Sequence, residues 1–124
     1  MNLEFTQEEL DFQKSIRAWM RENVPEELER VSALGNMPTK SQQQQWERSL
    51  GKQGWLALTW PEQYGGPGWT ATQRYIFDIE RAMAGAPPTS PFGVAMVGPV
   101  IYTFGSPEQK ERWLPGITSG ETLW

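Results

Sequence analysis

The sequence predicts an all-α fold, an irregular orthogonal bundle of five to six helices. Segments of helical apolar period recur along the 124 residues, and three of them open on a Ser/Thr cap with Glu or Gln three positions later. No clear alternating strand is visible outside Leu56–Leu58, and there is no internal repeat.

The first helix opens at Thr6, whose hydroxyl can accept from the Glu9 amide while Glu9 reaches back, with Phe5 and Leu10 at hydrophobic-staple positions. Leu10, Phe12, Ile16, Trp19, Met20 and Val24 follow a near-helical period, and Lys14, Arg17 and Arg21 fall on another face. Pro25 disfavours helix just ahead of it, so the helix ends near Asn23. Glu26 to Met37 reads as a charged connection with room for a short turn of helix at Glu26–Arg30, closed by Gly35-Asn36-Met37-Pro38. The next helix starts at Thr39 or Ser41 and runs to Gln53, with Gly54 as a left-handed cap. Gln42–Gln45 is expected as its solvated first turn and a half.

Trp55 to Trp69 holds too many Gly and Pro for a helix and too many aromatics for a solvated linker. It is expected as an ordered loop pinned by three tryptophans, with Leu56-Ala57-Leu58 able to form an extended bridge. Thr70 and Gln73 repeat the capping-box spacing and open a helix to about Ala84, with Ile76, Ile79 and Met83 inward, an Arg74–Asp78 pair outward and Gly85 as stop. After the proline-rich turn Ala86–Pro91, Phe92 to Thr103 reads as an uncharged helix, buried nearly all round and kinked by Pro99. Ser106-Pro107-Glu108-Gln109 then starts a short helix through Trp113, and Pro115 permits a final turn ending at Gly120.

A 38% hydrophobic, 21% charged composition suits one globular domain over residues 1–124. With no cysteine and no histidine, the chain has no disulfide, thiolate or imidazole metal site, cysteine nucleophile or histidine triad, so no metal site is expected. A formal charge of −4 and a pI near 4.9 argue against nucleic acid. Met1-Asn2-Leu3-Glu4-Phe5 lacks the basic-then-apolar pattern of a secretory leader, and the expected location is cytoplasmic. Ala82–Pro107 carries no charge, yet its prolines and glycines point to short buried helices and not to a membrane span.

Glu8, Glu9, Glu26, Glu27, Glu29, Asp78, Glu108 and Glu111 fall at caps, in first turns or beside basic residues, where helix dipoles and solvation explain them better than acid–base work. No catalytic residue is assigned. Glu80, beside Arg81, has a buried structural ion pair as its alternative. Seven tryptophans, at 19, 46, 55, 60, 69, 113 and 124, are too many for one small core; either several meet a domain interface or they are only partly buried.

The string Gly54-Trp55 … Trp60-Pro61-Glu62-Gln63-Tyr64-Gly65-Gly66-Pro67-Gly68, followed by Gly105-Ser106-Pro107-Glu108-Gln109-Lys110 … Leu114-Pro115 … Ser119-Gly120-Glu121, closely resembles the N-terminal α-helical domain of acyl-CoA dehydrogenases. The opening Leu3-Glu4-Phe5-Thr6-Gln7-Glu8-Glu9 is also similar to that family's start, so the resemblance covers the whole chain. It implies a flavoenzyme of fatty acid metabolism in which a carboxylate base takes the α-proton of an acyl-CoA and FAD takes the β-hydride. It also implies a middle β-domain, a C-terminal helical domain carrying the base, and a tetrameric parent, homomeric or heteromeric. On that reading residues 1–124 form one wall of the acyl and flavin site, are inactive alone, and leave most FAD contacts to the other domains. Family precedent places Pro88–Met96 on the acyl cavity, with Pro91, Phe92 and Ala95 as its wall, though this stretch is more apolar and proline-rich than the family pattern. The plainer alternatives are a core helix for Phe92–Phe104 and a structural plug for the Trp60–Gly66 loop. Two other functions stay open: a free-standing helical interaction module without catalysis, and a same-fold acyl-CoA oxidase or flavin monooxygenase.

Overall fold

The structure, a computed structural model, describes residues 3–124; Met1 and Asn2, which open the stretch read for a leader, lie outside the described residues. The described residues form six α-helices and no strand: α1 Gln7–Asn23, α2 Glu26–Ala33, α3 Lys40–Gln53, α4 Ala71–Met83, α5 Gly98–Phe104 and α6 Pro107–Ser119. A 3₁₀ turn at Glu62–Tyr64 and a π-helical segment at Phe92–Val97 complete the order. None of these helices is long and apolar enough to cross a membrane. The chain divides into two compact units, Met1–Met37 with Trp69–Pro88 and Pro38–Gly68 with Thr89–Trp124.

In the first unit α1 packs on α4. Capping boxes close both N-termini: Thr6 with Glu9, and Thr70 with Gln73. Ile16, Met20, Leu28, Ile76, Phe77 and Ala86 are its buried apolar residues, and Trp69 lies edge-on to Phe12 and tilted against Phe77. The charged connection holds the two-turn helix α2, longer than the single turn expected, because Glu26 and Arg30 pair at i,i+4 and Leu28 anchors it. On α4 the burial differs from expectation in one place. Phe77 is buried, whereas Met83 is 74% exposed at the lip of a cleft of about 470 Å³ lined also by Arg17, Met20, Arg21 and Glu29. Asp78 pairs with Arg81 at 2.9 Å and not with Arg74, since Arg81 is also drawn to the Ala86 carbonyl at 2.7 Å beyond the helix end.

In the second unit α3, the π segment, α5 and α6 pack together. Thr39 and Gln42 cap α3, and Gly54 ends it at φ 77°. The Gln42–Gln44 turn is half-buried, contrary to the solvated reading, because Gln42 closes the cap and Gln44 donates to the Glu121 carbonyl. Leu56–Leu58 forms bends and a turn and no extended bridge, because Ala57 accepts from the Trp60 amide and closes the chain on itself. α6 runs unbroken through Pro115, so the expected break after Trp113 is absent. Pro115 costs one hydrogen bond, at the carbonyl of the exposed Glu111, where water can replace it.

Candidate functional site

Of the three sequence-assigned residues, Pro91 immediately precedes the π segment and Phe92 and Ala95 lie within it, and all three are exposed. The expected all-round burial of Phe92–Thr103 is overturned. Phe92 is 56%, Met96 57%, Val100 57% and Phe104 82% exposed, an uncharged stripe at four-residue intervals. The fully buried residues of the segment are its smallest, Gly93 and Gly98, while Val94, Val97, Ile101 and Tyr102 pack half-buried on the core.

Those glycines let the backbone approach two large rings. A Cβ on Gly98 would overlap the Trp60 ring, and one on Gly93 would lie 3.1 Å from Trp124 Cδ1 and 3.3 Å from Ile117 Cγ2. Pro99 lacks an N–H and its ring crowds the carbonyl four residues back, so the chain enters α5 from a wider winding in which the Gly98 amide donates to Gly93. Pro99 thus coincides with a π-to-α transition.

The loop with the Trp-Pro-Glu-Gln-Tyr-Gly-Gly string is the support beneath this face. Trp60, 3% exposed, donates its indole N–H to the Val94 carbonyl at 2.7 Å and meets Tyr102 edge-on at 5.5 Å. Tyr64 stacks on Tyr102 at 5.3 Å and accepts from Lys110 Nζ at 3.3 Å. Gly65 turns the chain at φ 110°, and a Cβ on Gly66 would strike the Trp60 carbonyl. Within its own unit the string therefore packs as a structural support for this face.

Two carboxylates are buried. Glu80, 3% exposed, takes Arg17 Nε at 3.0 Å and Nη2 at 2.8 Å together with Gln13 at 3.2 Å. Hydrogen bonding to the Arg17 guanidinium holds its pKa below the usual range despite burial. This is the structural ion pair foreseen as Glu80's alternative, with Arg17 as partner in place of Arg81. Glu47 was not singled out from sequence. Also 3% exposed, it has its pKa raised by burial, opposed by hydrogen bonds from the Ser90 amide at 2.6 Å and from Gln43. The available signal was its place beside Trp46 on the buried 46/47/50 face of α3. Glu9 and Glu26, read as cap and surface groups, take those roles. Among the described residues no cluster of three or more acidic side chains could hold a metal ion.

Of the tryptophans, Trp46 and Trp60 are buried, Trp19, Trp55 and Trp69 half-buried, and Trp113 and Trp124 exposed by 38% and 43% while meeting edge-on at 5.9 Å.

A family model described as "Acyl-CoA dehydrogenase, N-terminal domain" matches residues 6–121. The chain belongs to this family. Acyl-CoA dehydrogenase FadE26 of Mycobacterium tuberculosis is 34% identical over 124 residues, covering 98% of this chain and 30% of that protein. Acyl-CoA dehydrogenase IpdE1 of the same organism is 32% identical over 119 residues, covering 92% and 31%. Similar folds occur in the crystal structure of the ChsE4-ChsE5 complex from Mycobacterium tuberculosis, at 31% identity and TM-score 0.77, covering 99% of this chain and 30% of that one. A second is the Tcur3481-Tcur3483 steroid ACAD, at 32% identity and TM-score 0.78, covering 99% and 32%. This acyl-CoA dehydrogenase N-terminal domain thus spans about a third of the length of the relatives it matches.

Proposed function

We propose that this chain forms one wall of the acyl site in an FAD-dependent acyl-CoA dehydrogenase, with Pro91, Phe92 and Ala95 facing the acyl group. The observation that carries the reading is the uncharged, exposed stripe Phe92, Met96, Val100 and Phe104, held from behind by Trp60. An exposed apolar face of this extent, rigid and free of ionisable groups, suits a hydrocarbon ligand and disfavours a charged one. At the α-helical rise it would be about 18 Å long, and the wider winding of Phe92–Val97 shortens it somewhat, still ample for a polycyclic acyl group. That length, together with the steroid-directed relative, supports a bulky acyl-CoA thioester as substrate class. Both structural relatives pair two differently named chains, which supports a hetero-oligomeric parent over a homomeric one.

FAD is the cofactor the family implies. Thr6, Thr39, Thr70 and Ser106 close the N-termini of α1, α3, α4 and α6 with their own side chains, so these four ends present no open phosphate cradle. The described residues suit a wall beside a flavin and do not make a dinucleotide site themselves; on this reading other parts of the enzyme hold the FAD.

The test is Phe92→Trp in the full-length flavoprotein that contains this chain. A larger ring on the wall should raise KM for bulky acyl-CoA by about tenfold relative to a short-chain substrate. Equal effects on both would remove Phe92 from the wall. An enzyme that hands its electrons to oxygen would be the oxidase or monooxygenase alternative, and a full-length protein without bound flavin would be the interaction module.

A further inference from the structure

Glu47 is costly where it stands. A carboxylate excluded from water is destabilising unless it is well partnered, and an apolar residue of similar size would commonly pack there at no loss of stability.

The carboxylate lies on the buried side of α3 and projects onto the segment Thr89–Pro91. From α3 itself Gln43 donates to it, and from that segment comes the backbone N–H of Ser90, at 2.6 Å to Oε1. Ser90 is two residues ahead of Phe92. From the end of α6 and the tail come Gly120, Thr122, Leu123 and Trp124, which with Gly93, Val94 and Ile117 line a space of about 10 Å³ beside it. That volume is at the lower limit for a single water, so solvent has little room to replace the carboxylate as acceptor. The neighbouring charge on α3, Arg48, is paired with Glu121 at 3.3 Å. What keeps Glu47 partnered is thus a pair of hydrogen bonds, and the short one is directed at the chain just ahead of the exposed wall.

We infer that Glu47 is a positioning residue for the acyl wall: its bond to the Ser90 amide sets where Pro91 and Phe92 stand. Trp60 makes a second bond further along, at Val94, so the chain is tied to the unit both just ahead of the π segment and within it. The inference rests on the reading of Phe92 as an acyl contact. Ser90 and Pro91 together supply one amide N–H, since proline has none, so this short stretch has no other backbone donor with which to bind.

The experiment uses the full-length flavoprotein with Glu47→Leu, Glu47→Gln and Glu47→Asp, and two readouts. The first is hydrogen exchange over residues 90–97, the second KM and kcat for a short and a bulky acyl-CoA. Loss of the acceptor in Glu47→Leu should speed exchange over this segment about tenfold or more, the range expected for losing a hydrogen bond to a charged group. It should raise KM for the bulky substrate severalfold more than for the short one, with kcat for the short one held. Glu47→Gln, which keeps an acceptor oxygen, should restore most of both. Glu47→Asp draws the oxygen back by one methylene with its charge retained, and should move both readouts in the direction of Glu47→Leu. It decides the matter by the same criteria if Glu47→Leu does not fold. Unchanged exchange at 90–97 would overturn the tether while leaving the Phe92 result standing. Faster exchange with equal KM changes for both substrates would overturn the inference through the acyl-wall reading beneath it.

Discussion

Replacing Gly98 by alanine sets two forces against each other with opposite signs. Gly98 has φ −57° and ψ −51°, ordinary helical values, so alanine is unstrained there and would by propensity stabilise the helix by about 1 kcal/mol. Its Cβ, however, would overlap Trp60 and come within 2.8 Å of the Gly93 carbonyl oxygen. Trp60 has nowhere to swing: it is 3% exposed, bonded to Val94 at 2.7 Å and set edge-on to Tyr102. Overpacking of a fixed core typically costs about 1–3 kcal/mol, and a blocked ring facing backbone on the other side argues for the upper end. After the propensity gain the net loss is about 2 kcal/mol, which at roughly 4 °C per kcal/mol for a chain of this length lowers Tm by about 8 °C. Thermal and urea unfolding followed by far-UV circular dichroism and tryptophan fluorescence would measure it, with a red-shifted native emission as Trp60 is displaced. A neutral or stabilising Gly98→Ala would refute the close approach of Trp60 to this helix, and with it the account of why the apolar stripe faces outward.

The two buried carboxylates should leave opposite signatures in a pH series of unfolding midpoints between about pH 3 and about pH 7. Glu80, with its folded pKa depressed by Arg17, contributes stability above the ordinary carboxylate pKa that is lost as pH falls through the depressed value, so Glu80→Gln should flatten the acid limb. Glu47, with its folded pKa raised by burial, contributes stability that is complete below the ordinary value and lost as pH rises through the raised one, so Glu47→Gln should flatten that opposite slope. Slopes of the same sign for both would contradict these environments. At the start of α4, Thr70→Ala should cost about 1 kcal/mol by removing the hydroxyl 3.1 Å from the Gln73 amide, and Thr70→Asp should restore most of it; an alanine variant as stable as the parent would show the cap to be dispensable.

The helix starts were legible because capping is local chemistry. Thr6, Thr70 and Ser106 needed only a partner three residues away, and each has it. Gly54 as a left-handed end and Gly120 as a helix stop follow from the same short range. Interruptions were harder, because their cost depends on surroundings. Pro115 removes one hydrogen bond wherever it sits, yet at a solvent-facing carbonyl the helix survives it, whereas Pro99 coincides with a change of winding where Trp60 and Ile117 press on Gly93 and Gly98. A short apolar run such as Leu56–Leu58 carries no period long enough to separate strand from turn. Likewise Arg81, beside Asp78 and Glu80 in sequence, takes Asp78, while Glu80 finds Arg17 sixty-three residues away.

The candidate site divides in the same way. Pro91, Phe92 and Ala95 came from resemblance in the spacing of motifs, and the uncharged character of Phe92–Phe104 was plain in the sequence. Which side of it meets solvent was not, because a segment apolar on every side has no amphipathic direction of its own. That choice belongs to tertiary packing: Gly93 and Gly98 let the chain lie against Trp60, Ile117 and Trp124, Val94, Val97, Ile101 and Tyr102 pack on the same core, and Phe92, Met96, Val100 and Phe104 are left outward. The role of Glu47 is decided at the same level, since its partner amide is brought to it across forty-three residues by the fold. By itself the sequence determined where most helices start, their caps and the family resemblance, because these rest on local spacing. Folding decided which apolar surface is left exposed, through the close packing of side chains distant in sequence.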